Sequence, residues 1–138
     1  MMNNIATVNS IYEAFGKGDI PAIIEYIADD VQWEHWSDNS AQKAGVPWMQ
    51  ARNGKQGVVE FFKSAGELEV KDFQLLSIMG NENMVAVEIV FEAHVPRTGR
   101  HYRDEEMHLW TFNEEGKVIL LRHYADTAKL VEAVKESK

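Results

Sequence analysis

The sequence predicts a single α+β domain over residues 1–138, in which helices pack against one face of a curved antiparallel sheet. Apolar residues recur at helical spacing in the first part of the chain, whereas the second half alternates with a period of two. Turn-rich segments separate the alternating stretches and read GNEN, PRTGR and NEEG, which is typical of an antiparallel meander. Because the apolar stripes of the helices need cover, we expect the sheet to curve around them.

Two helices and one strand are predicted near the N-terminus. The first helix covers residues 4–16, with Asn3 or Asn4 as its cap and Gly16 at its end. Asp19 suits the N-cap of a short second helix, and Pro21 falls in its first turn, where a missing N–H is harmless. Alternation over residues 31–36 then predicts a strand with Val31, Trp33 and His35 on one face and Gln32, Glu34 and Trp36 on the other.

The remaining elements are a long loop, a third helix, four strands and a last helix. Polar residues dominate positions 37–53, and long loops of this kind are often functional. The third helix is predicted over residues 55–65, and Asp126 or Thr127 is the expected cap of the last helix. The four strands are predicted over residues 68–79, 84–95, 101–112 and 117–126.

The composition excludes several classes of partner and chemistry. The 138 residues include 22 acidic and 14 basic side chains, and the formal charge of -8 has the wrong sign for binding nucleic acid or anionic lipid. The absence of cysteine excludes disulfides, thiolate nucleophiles and cysteine-based zinc sites. No apolar stretch is long enough to span a membrane and the N-terminus lacks a signal-peptide layout, so we expect a cytoplasmic protein.

The last strand predicts a partner subunit. Residues Val118 to Leu121 are apolar on both faces, whereas a half-exposed antiparallel strand should alternate. We therefore expect the second face of this strand to be buried in a homodimer.

The last hairpin places titratable residues on the inner face of the sheet. With a turn centred on Glu114 and Glu115, the predicted pairs are Phe112 with Lys117, Trp110 with Ile119, His108 with Leu121 and Glu106 with His123. Ile119 and Leu121 mark the buried side of this hairpin. Glu106, His108 and His123 should therefore point inward together.

These inward side chains suit proton transfer next to a carbonyl group. A histidine is largely neutral yet basic near pH 7, so His35 or His123 is a candidate base. Glu106 would orient the ring of His123, and His108 would donate a hydrogen bond to an oxygen that gains negative charge. Phe62 is expected in the core. The candidate lining of an apolar ligand pocket consists of Tyr12, Trp33, Trp48, Phe91 and Trp110.

Four strings of the sequence carry a family resemblance: AFGKGDIPAIIEYIADDVQWE, NGKQGVVEFFKSAGE, TGRHYRDEEMHLWTF and EEGKVILLRHYADT. With the order of elements, they resemble the nuclear transport factor 2-like superfamily, in its branch of SnoaL-like polyketide cyclases and ketosteroid isomerases. The resemblance covers nearly the whole chain. It implies a cone-shaped, strongly curved antiparallel sheet wrapped around N-terminal helices (a cystatin-like α+β roll), with a deep pocket and usually a homodimer. Because the superfamily hosts isomerases, cyclases, epoxide hydrolases and non-enzymes, it indicates the fold better than the function.

The resemblance also implies roles for individual positions. The general-base aspartate of ketosteroid isomerases corresponds to His35, and their oxyanion-binding acid corresponds to His108. The acid/base aspartate of the cyclases corresponds to His123, and the catalytic tyrosine of the first helix corresponds to Ile11, beside Tyr12. The residue types differ from those of the relatives, which argues against steroid isomerisation itself.

We therefore predict a cofactor-free enzyme of the isomerase or cyclase type that acts on a small or medium apolar carbonyl compound. The alternative is a non-catalytic module of the same fold that binds a small ligand or assembles with a partner, with the histidines as core hydrogen-bonding groups. A metal site of two histidines and one carboxylate is not predicted, because its ligands would have to converge from three strands. An epoxide hydrolase would need an Asp-Arg-Asp set that the sequence does not place.

One further cluster of charge lies outside these elements. The turn between the second and third strands of the meander is basic, and it is predicted to be a solvated hairpin tip rather than an anion site. Its residues are Arg97, Arg100, His101 and Arg103.

Overall fold

The structure is a computed structural model that describes residues 3–34 and 38–136, in which most helices precede four consecutive strands of one sheet. The helices are α1 (Asn4–Gly16), α2 (Ile20–Ile24), α3 (Ser40–Lys43), α4 (Gly54–Ala65) and α5 (Thr127–Ala133), with a 3-10 turn at Pro47–Met49. The strands are β1 (Ile27–Trp33), β2 (Arg52–Asn53), β3 (Glu69–Gly80), β4 (Met84–Val95), β5 (Arg100–Phe112) and β6 (Val118–Tyr124).

The first two helices begin at the predicted caps. The side chain of Asn3 accepts the N–H of Ala6 at the start of α1, which satisfies one of the free amides of the first turn. Asp19 does the same for the N–H of Ala22 in α2. Pro21 lies in the first turn of α2, where no amide hydrogen is needed.

The strands form one curved sheet that does not close, in the order β2-β1-β6-β5-β4-β3. Strands β3 to β6 are joined as antiparallel neighbours, as the meander predicts. Strand β1 adds to β6 in parallel, and the short β2 pairs with β1 at the edge of the sheet. Helices α1, α2 and α4 pack against one face of this sheet, and the predicted α+β fold class is confirmed.

The segment after β1 is more structured than its polar composition predicts. Its described part contains α3, the 3-10 turn and β2 in place of the predicted long loop. Asn39 and Gln42 form a reciprocal capping box at the start of α3, a signal that is present in the sequence and outweighs the polarity. Val46 and Met49 are fully buried, which fixes the turn that follows.

Strand β1 begins and ends earlier than predicted. Ile27 already pairs with Val118 of β6, so the strand begins there rather than at residue 31. It ends at Trp33 because Glu34 adopts a φ of 57°, a left-handed conformation that cannot continue a strand. Two residues of the predicted strand, His35 and Trp36, lie outside the described residues.

The apolar core has two parts. The larger part packs α1, α2 and α4 onto the sheet and contains Trp33 and Trp110. The smaller part packs α3, the 3-10 turn and α5 onto the other end of β4 and β5 and contains Trp48. Phe61 and Phe91 pack against both parts, so the space between the two is walled by aromatic rings.

The register of the β5–β6 hairpin differs from the predicted one by two residues. His108 pairs with His123 and Trp110 pairs with Leu121. The predicted pairs of His108 with Leu121 and of Glu106 with His123 are therefore wrong. The turn accounts for one residue of this difference, because Phe112 pairs with Val118 and not with Lys117, and a β-bulge between Thr111 and Phe112 adds the second. A shift of two residues keeps His108, Trp110, Leu121 and His123 on the predicted inner face. Beyond the bulge Val118, in place of the predicted Ile119, takes the inner position, opposite Phe112.

Strand β6 is apolar on both faces, and the described residues cover its outer face only in part. Val118 and Leu121 are buried, whereas Ile119 and Leu120 are half-buried. Burial of this face in a homodimer stays a prediction. Among the described residues, no helix combines the length and apolarity needed to cross a membrane.

Candidate active site

A cavity of about 80 Å³ lies between the inner face of the sheet and helices α1 and α4. It has room for several water molecules or a small organic group. All five residues predicted to line a ligand pocket (Tyr12, Trp33, Trp48, Phe91 and Trp110) are among its walls. Phe62, which was expected in the core, lines the cavity as well, because the inner face of α4 is turned toward it.

Aromatic rings pack closely in the walls of this cavity. The ring of Trp33 meets that of Trp110 edge-on at a centroid distance of 5.6 Å and that of Phe61 at 5.3 Å. Tyr12 meets Phe73 at 5.8 Å on the side of β3. Such contacts stabilise the walls and make the cavity strongly apolar, apart from one wall that carries titratable groups.

That wall joins side chains from three strands. Nε2 of His123 on β6 lies 2.6 Å from Oε1 of Glu106 on β5, and its Nδ1 lies 3.2 Å from Oε1 of Glu34 at the end of β1. The ring of His108 stands edge-on to that of His123 at a centroid distance of 4.6 Å. Glu34 and Glu106 are almost fully buried, so the cluster is shielded from solvent.

His123 and Glu106 carry opposite charges because each shifts the pKa of the other. Burial alone would lower the pKa of His123, but the carboxylates of Glu106 and Glu34 outweigh it and raise this pKa well above its ordinary value. Burial alone would raise the pKa of Glu106, but the charge of His123 and its hydrogen bond hold this pKa far below the ordinary range. The pair is therefore an imidazolium and a carboxylate near neutral pH.

His108 remains neutral under the same conditions. Burial lowers the pKa of its ring, and the positive charge on His123 lowers it further. Its Nδ1 lies 2.5 Å from the hydroxyl of Tyr12, which also accepts a hydrogen bond from the indole N–H of Trp110 at 3.2 Å. Its Nε2 lies 3.7 Å from Oε1 of Glu106, which is longer than a hydrogen bond.

Glu34 is the site residue that the sequence analysis missed. Strand alternation predicts that it faces away from Trp33, but the left-handed backbone at Glu34 turns its side chain into the cavity wall. Its side chain is fully buried, and among the described residues neither oxygen makes a hydrogen bond of good geometry. Burial raises the pKa of this carboxyl, although the charge of His123 opposes the rise. No local signal in the sequence marks this turn.

Asp104 extends the cluster along β5. It lies on the same face as Glu106, is almost fully buried and accepts the backbone N–H of Asp126 at 3.1 Å. Burial and the neighbouring Glu106 raise its pKa to about 6. The predicted candidate base His35 lies outside the described residues, so the structure does not place it.

The cluster contains carboxylate and imidazole groups, which are common metal ligands. One ligand atom each from Glu106, His108 and His123 lies within 4.8 Å of the others. The three come from two neighbouring strands, so the expectation that such a set would need three strands is wrong. When two ligand atoms each lie about 2.1 Å from one metal ion, the two atoms are roughly 3 Å or more apart. The 2.6 Å contact of Glu106 with His123 is that of an ion pair, and Glu106 would have to move to hold a metal.

Solved structures share this fold over nearly the full length. A protein of unknown function from Burkholderia pseudomallei, described as NTF2-like, has a TM-score of 0.79 and 21% identity, with 98% of this chain and 99% of that chain covered. A protein from Pseudomonas putida that is provisionally described as a polyketide cyclase has a TM-score of 0.74 and 19% identity, with 98% and 100% covered. One from Rhodopseudomonas palustris, provisionally described as an isomerase, has a TM-score of 0.74 and 18% identity, with 96% of each chain covered. At these identities the likeness shows the fold.

The family is shown by the sequence itself. No curated protein sequence matches the chain. The family model described as the SnoaL-like domain matches residues 8–121, which is well over half of the chain. The chain therefore belongs to the SnoaL-like domain family of the nuclear transport factor 2-like superfamily.

Proposed function

We propose that the protein is a cofactor-free acid/base enzyme of the isomerase or cyclase type, acting on a small or medium apolar carbonyl compound. One observation carries the proposal: Glu34, Glu106, His108 and His123 meet at one wall of an otherwise apolar cavity. Burying ionisable groups costs free energy, and a core of apolar side chains would be at least as stable. Strongly shifted pKa values in a cavity are typical of catalytic sites.

Glu34 is the proton acceptor of the proposed reaction. Both ring nitrogens of His123 already contact carboxylates, which leaves His123 no free acceptor atom. Glu34 lines the cavity, and its oxygens make no hydrogen bond of good geometry within the described part of the chain. The raised pKa of Glu34 makes its ionised form a stronger base than an ordinary carboxylate.

The other groups stabilise the charge that develops. As Glu34 takes a proton from the carbon next to the carbonyl, the electron pair of the C–H bond forms a carbon–carbon double bond, and the π electron pair of the carbonyl moves to its oxygen. His108 donates a hydrogen bond to that oxygen, and the charged ring of His123 lies beside it. Glu106 keeps His123 charged and in place. Return of the proton from Glu34 to another carbon gives an isomerase. Attack of the enolate carbon on a second carbonyl, whose oxygen then takes the proton from Glu34, gives a cyclase.

Hydrogen exchange of ring ketones tests the proposal without the natural substrate. In D2O the enzyme should exchange the hydrogens next to the carbonyl of cyclohexanone or 1-tetralone for deuterium, as measured by proton NMR. Glu34→Gln should slow this exchange by roughly 100-fold or more, because it removes the general base. Glu105→Gln, a change of the same type on the exposed side of β5, is the matched control. Exchange at the same rate in wild type and Glu34→Gln would refute the proposal.

The same assay addresses the non-catalytic alternative. Aromatic rings already occupy much of the inner space, as the contacts of Trp33 with Trp110 and Phe61 illustrate. A module that only holds an apolar ligand would broaden the ketone resonances on binding and leave the hydrogens unexchanged.

A further inference from the structure

Three side chains from α1 and β5 form a hydrogen-bond chain that ends at the cavity. These hydrogen bonds lead from Trp110 through Tyr12 to His108. We infer that Trp110 and Tyr12 fix His108 in the tautomer that carries its proton on Nε2, so that the site recognises ligands by a hydrogen-bond acceptor oxygen. This inference rests on the proposed function, because it specifies which ligands that same site binds.

The indole of Trp110 sets which group donates and which accepts in these hydrogen bonds. An indole N–H only donates, so the hydroxyl oxygen of Tyr12 must accept the bond from Trp110 at 3.2 Å. The hydroxyl hydrogen of Tyr12 is then free to point elsewhere, and Nδ1 of His108 stands 2.5 Å away. Burial raises the pKa of Tyr12, so the hydroxyl keeps the proton that it donates.

The opposite direction is unfavourable. If Nδ1 of His108 carried the proton, the oxygen of Tyr12 would accept two hydrogen bonds and its own hydrogen would need another acceptor. The surroundings of Tyr12 are the rings of Phe73 and Trp110 and the apolar cavity. A hydroxyl hydrogen left without a partner there is costly, so Nδ1 is the acceptor and Nε2 carries the hydrogen.

The other end of the ring offers this hydrogen to the cavity. Nε2 of His108 lies 3.7 Å from Oε1 of Glu106, beyond hydrogen-bond distance, and that oxygen already accepts the bond from His123 at 2.6 Å. An oxygen acceptor that enters the cavity can take the Nε2–H. A ligand that offers only N–H donors meets a donor instead.

The ligand class is therefore a planar apolar ring that carries a carbonyl, enolate or phenolate oxygen. The aromatic walls accommodate the ring, and the positive charge of His123 beside His108 favours a negative oxygen over a neutral one. Tyr12 is a positioning residue in this arrangement, because it acts on the ligand through His108.

Nitrogen-15 NMR of protein with labelled histidine measures the tautomer directly. In the wild type, Nδ1 of His108 should resonate as an unprotonated nitrogen and Nε2 as a protonated one, with the signals assigned by their loss in His108→Asn. Tyr12→Phe keeps the ring and removes the hydroxyl, so both tautomers should then be populated. Tyr102→Phe is the control: its ring lines the same cavity, and its hydroxyl makes no hydrogen bond of good geometry within the described residues.

Ligand binding provides the second measurement. The wild type should bind 4-nitrophenolate about 10-fold more tightly than the similarly shaped 4-nitroaniline, a difference that one charge-assisted hydrogen bond supplies. The ratio should fall severalfold in Tyr12→Phe and stay unchanged in Tyr102→Phe.

The outcomes separate this inference from the proposed function. A proton on Nδ1, or a charged ring, in wild-type His108 overturns the inference even if Tyr12→Phe does not fold. An unchanged tautomer in folded Tyr12→Phe overturns it too. If His108 shows the Nε2–H tautomer but the protein does not exchange the ketone hydrogens for deuterium, only the enzymatic proposal is refuted.

Discussion

Two histidine–glutamate pairs of this sheet have nearly the same length and opposite surroundings. On the outer face, Nε2 of His101 lies 2.7 Å from Oε2 of Glu92, and the side chains are 51% and 31% exposed. On the inner face, Nε2 of His123 lies 2.6 Å from Oε1 of Glu106, and the side chains are 10% and 3% exposed. The distance between two atoms therefore says little about what a pair does.

The surroundings decide the difference. Water screens the outer pair, so its attraction is small and offset by the loss of side-chain freedom. The inner pair lies in a medium of low polarisability, where charges interact strongly and an unpaired one is costly. It also has further partners in Glu34 and, through the facing ring, His108. Burial and linkage convert a common surface contact into a candidate catalytic unit.

Removing the inner carboxylate should have the largest effect. Glu106→Leu leaves the buried ring of His123 without its closest acceptor, so the free energy of unfolding should fall by about 3–5 kcal/mol. Glu92→Leu, the matched change in the outer pair, should cost less than about 1 kcal/mol. Urea denaturation followed by tryptophan fluorescence measures both. Equal losses would show that burial does not distinguish the two pairs.

The pH dependence of stability should distinguish the pairs by a smaller amount. The raised pKa of His123 means that its contribution is full below its ordinary value of 6.5 and is lost as pH rises through the higher folded value. The lowered pKa of Glu106 means that its contribution is present above its ordinary value of 4.5 and is lost as pH falls. The pair should stabilise most between about pH 4.5 and 6.5.

The measurement for this prediction is a set of urea denaturations at several pH values. The stability difference between wild type and His123→Asn should shrink above pH 6.5, by at most about 1.4 kcal/mol per pH unit. The corresponding difference for His101→Asn should stay below about 1 kcal/mol at every pH. A difference for His123→Asn that grows above pH 6.5 would contradict the assigned direction of its pKa.

Salt should produce the smallest effect. The coupling energy of His101 with Glu92 from a double-mutant cycle should be at most about 1 kcal/mol and should largely vanish in 1 M salt, where screening acts within roughly 3 Å. The coupling of His123 with Glu106 should persist, because solvent ions do not reach a buried pair. A cycle in which both couplings fall together would indicate that the inner pair is solvated.

The side chains of β5 that face the cavity were predictable, because facing in or out depends only on whether a position is odd or even along the strand. Glu106, His108 and Trp110 alternate with outward residues, and this pattern survives a register error of two residues. The register itself was not predictable, because neither the pairing of Phe112 with Val118 across the turn nor the bulge next to it has a signal in the local sequence.

The sequence by itself determined the α+β class, the helix caps, the meander and the family. Those features depend on hydrophobic periodicity and on contacts between residues a few positions apart. Only the tertiary structure decided that Glu34 turns inward and that Tyr12 meets His108, 96 residues further along the chain. A left-handed residue and a hydrogen bond between distant segments are set by the packing of the whole domain, which no local pattern encodes.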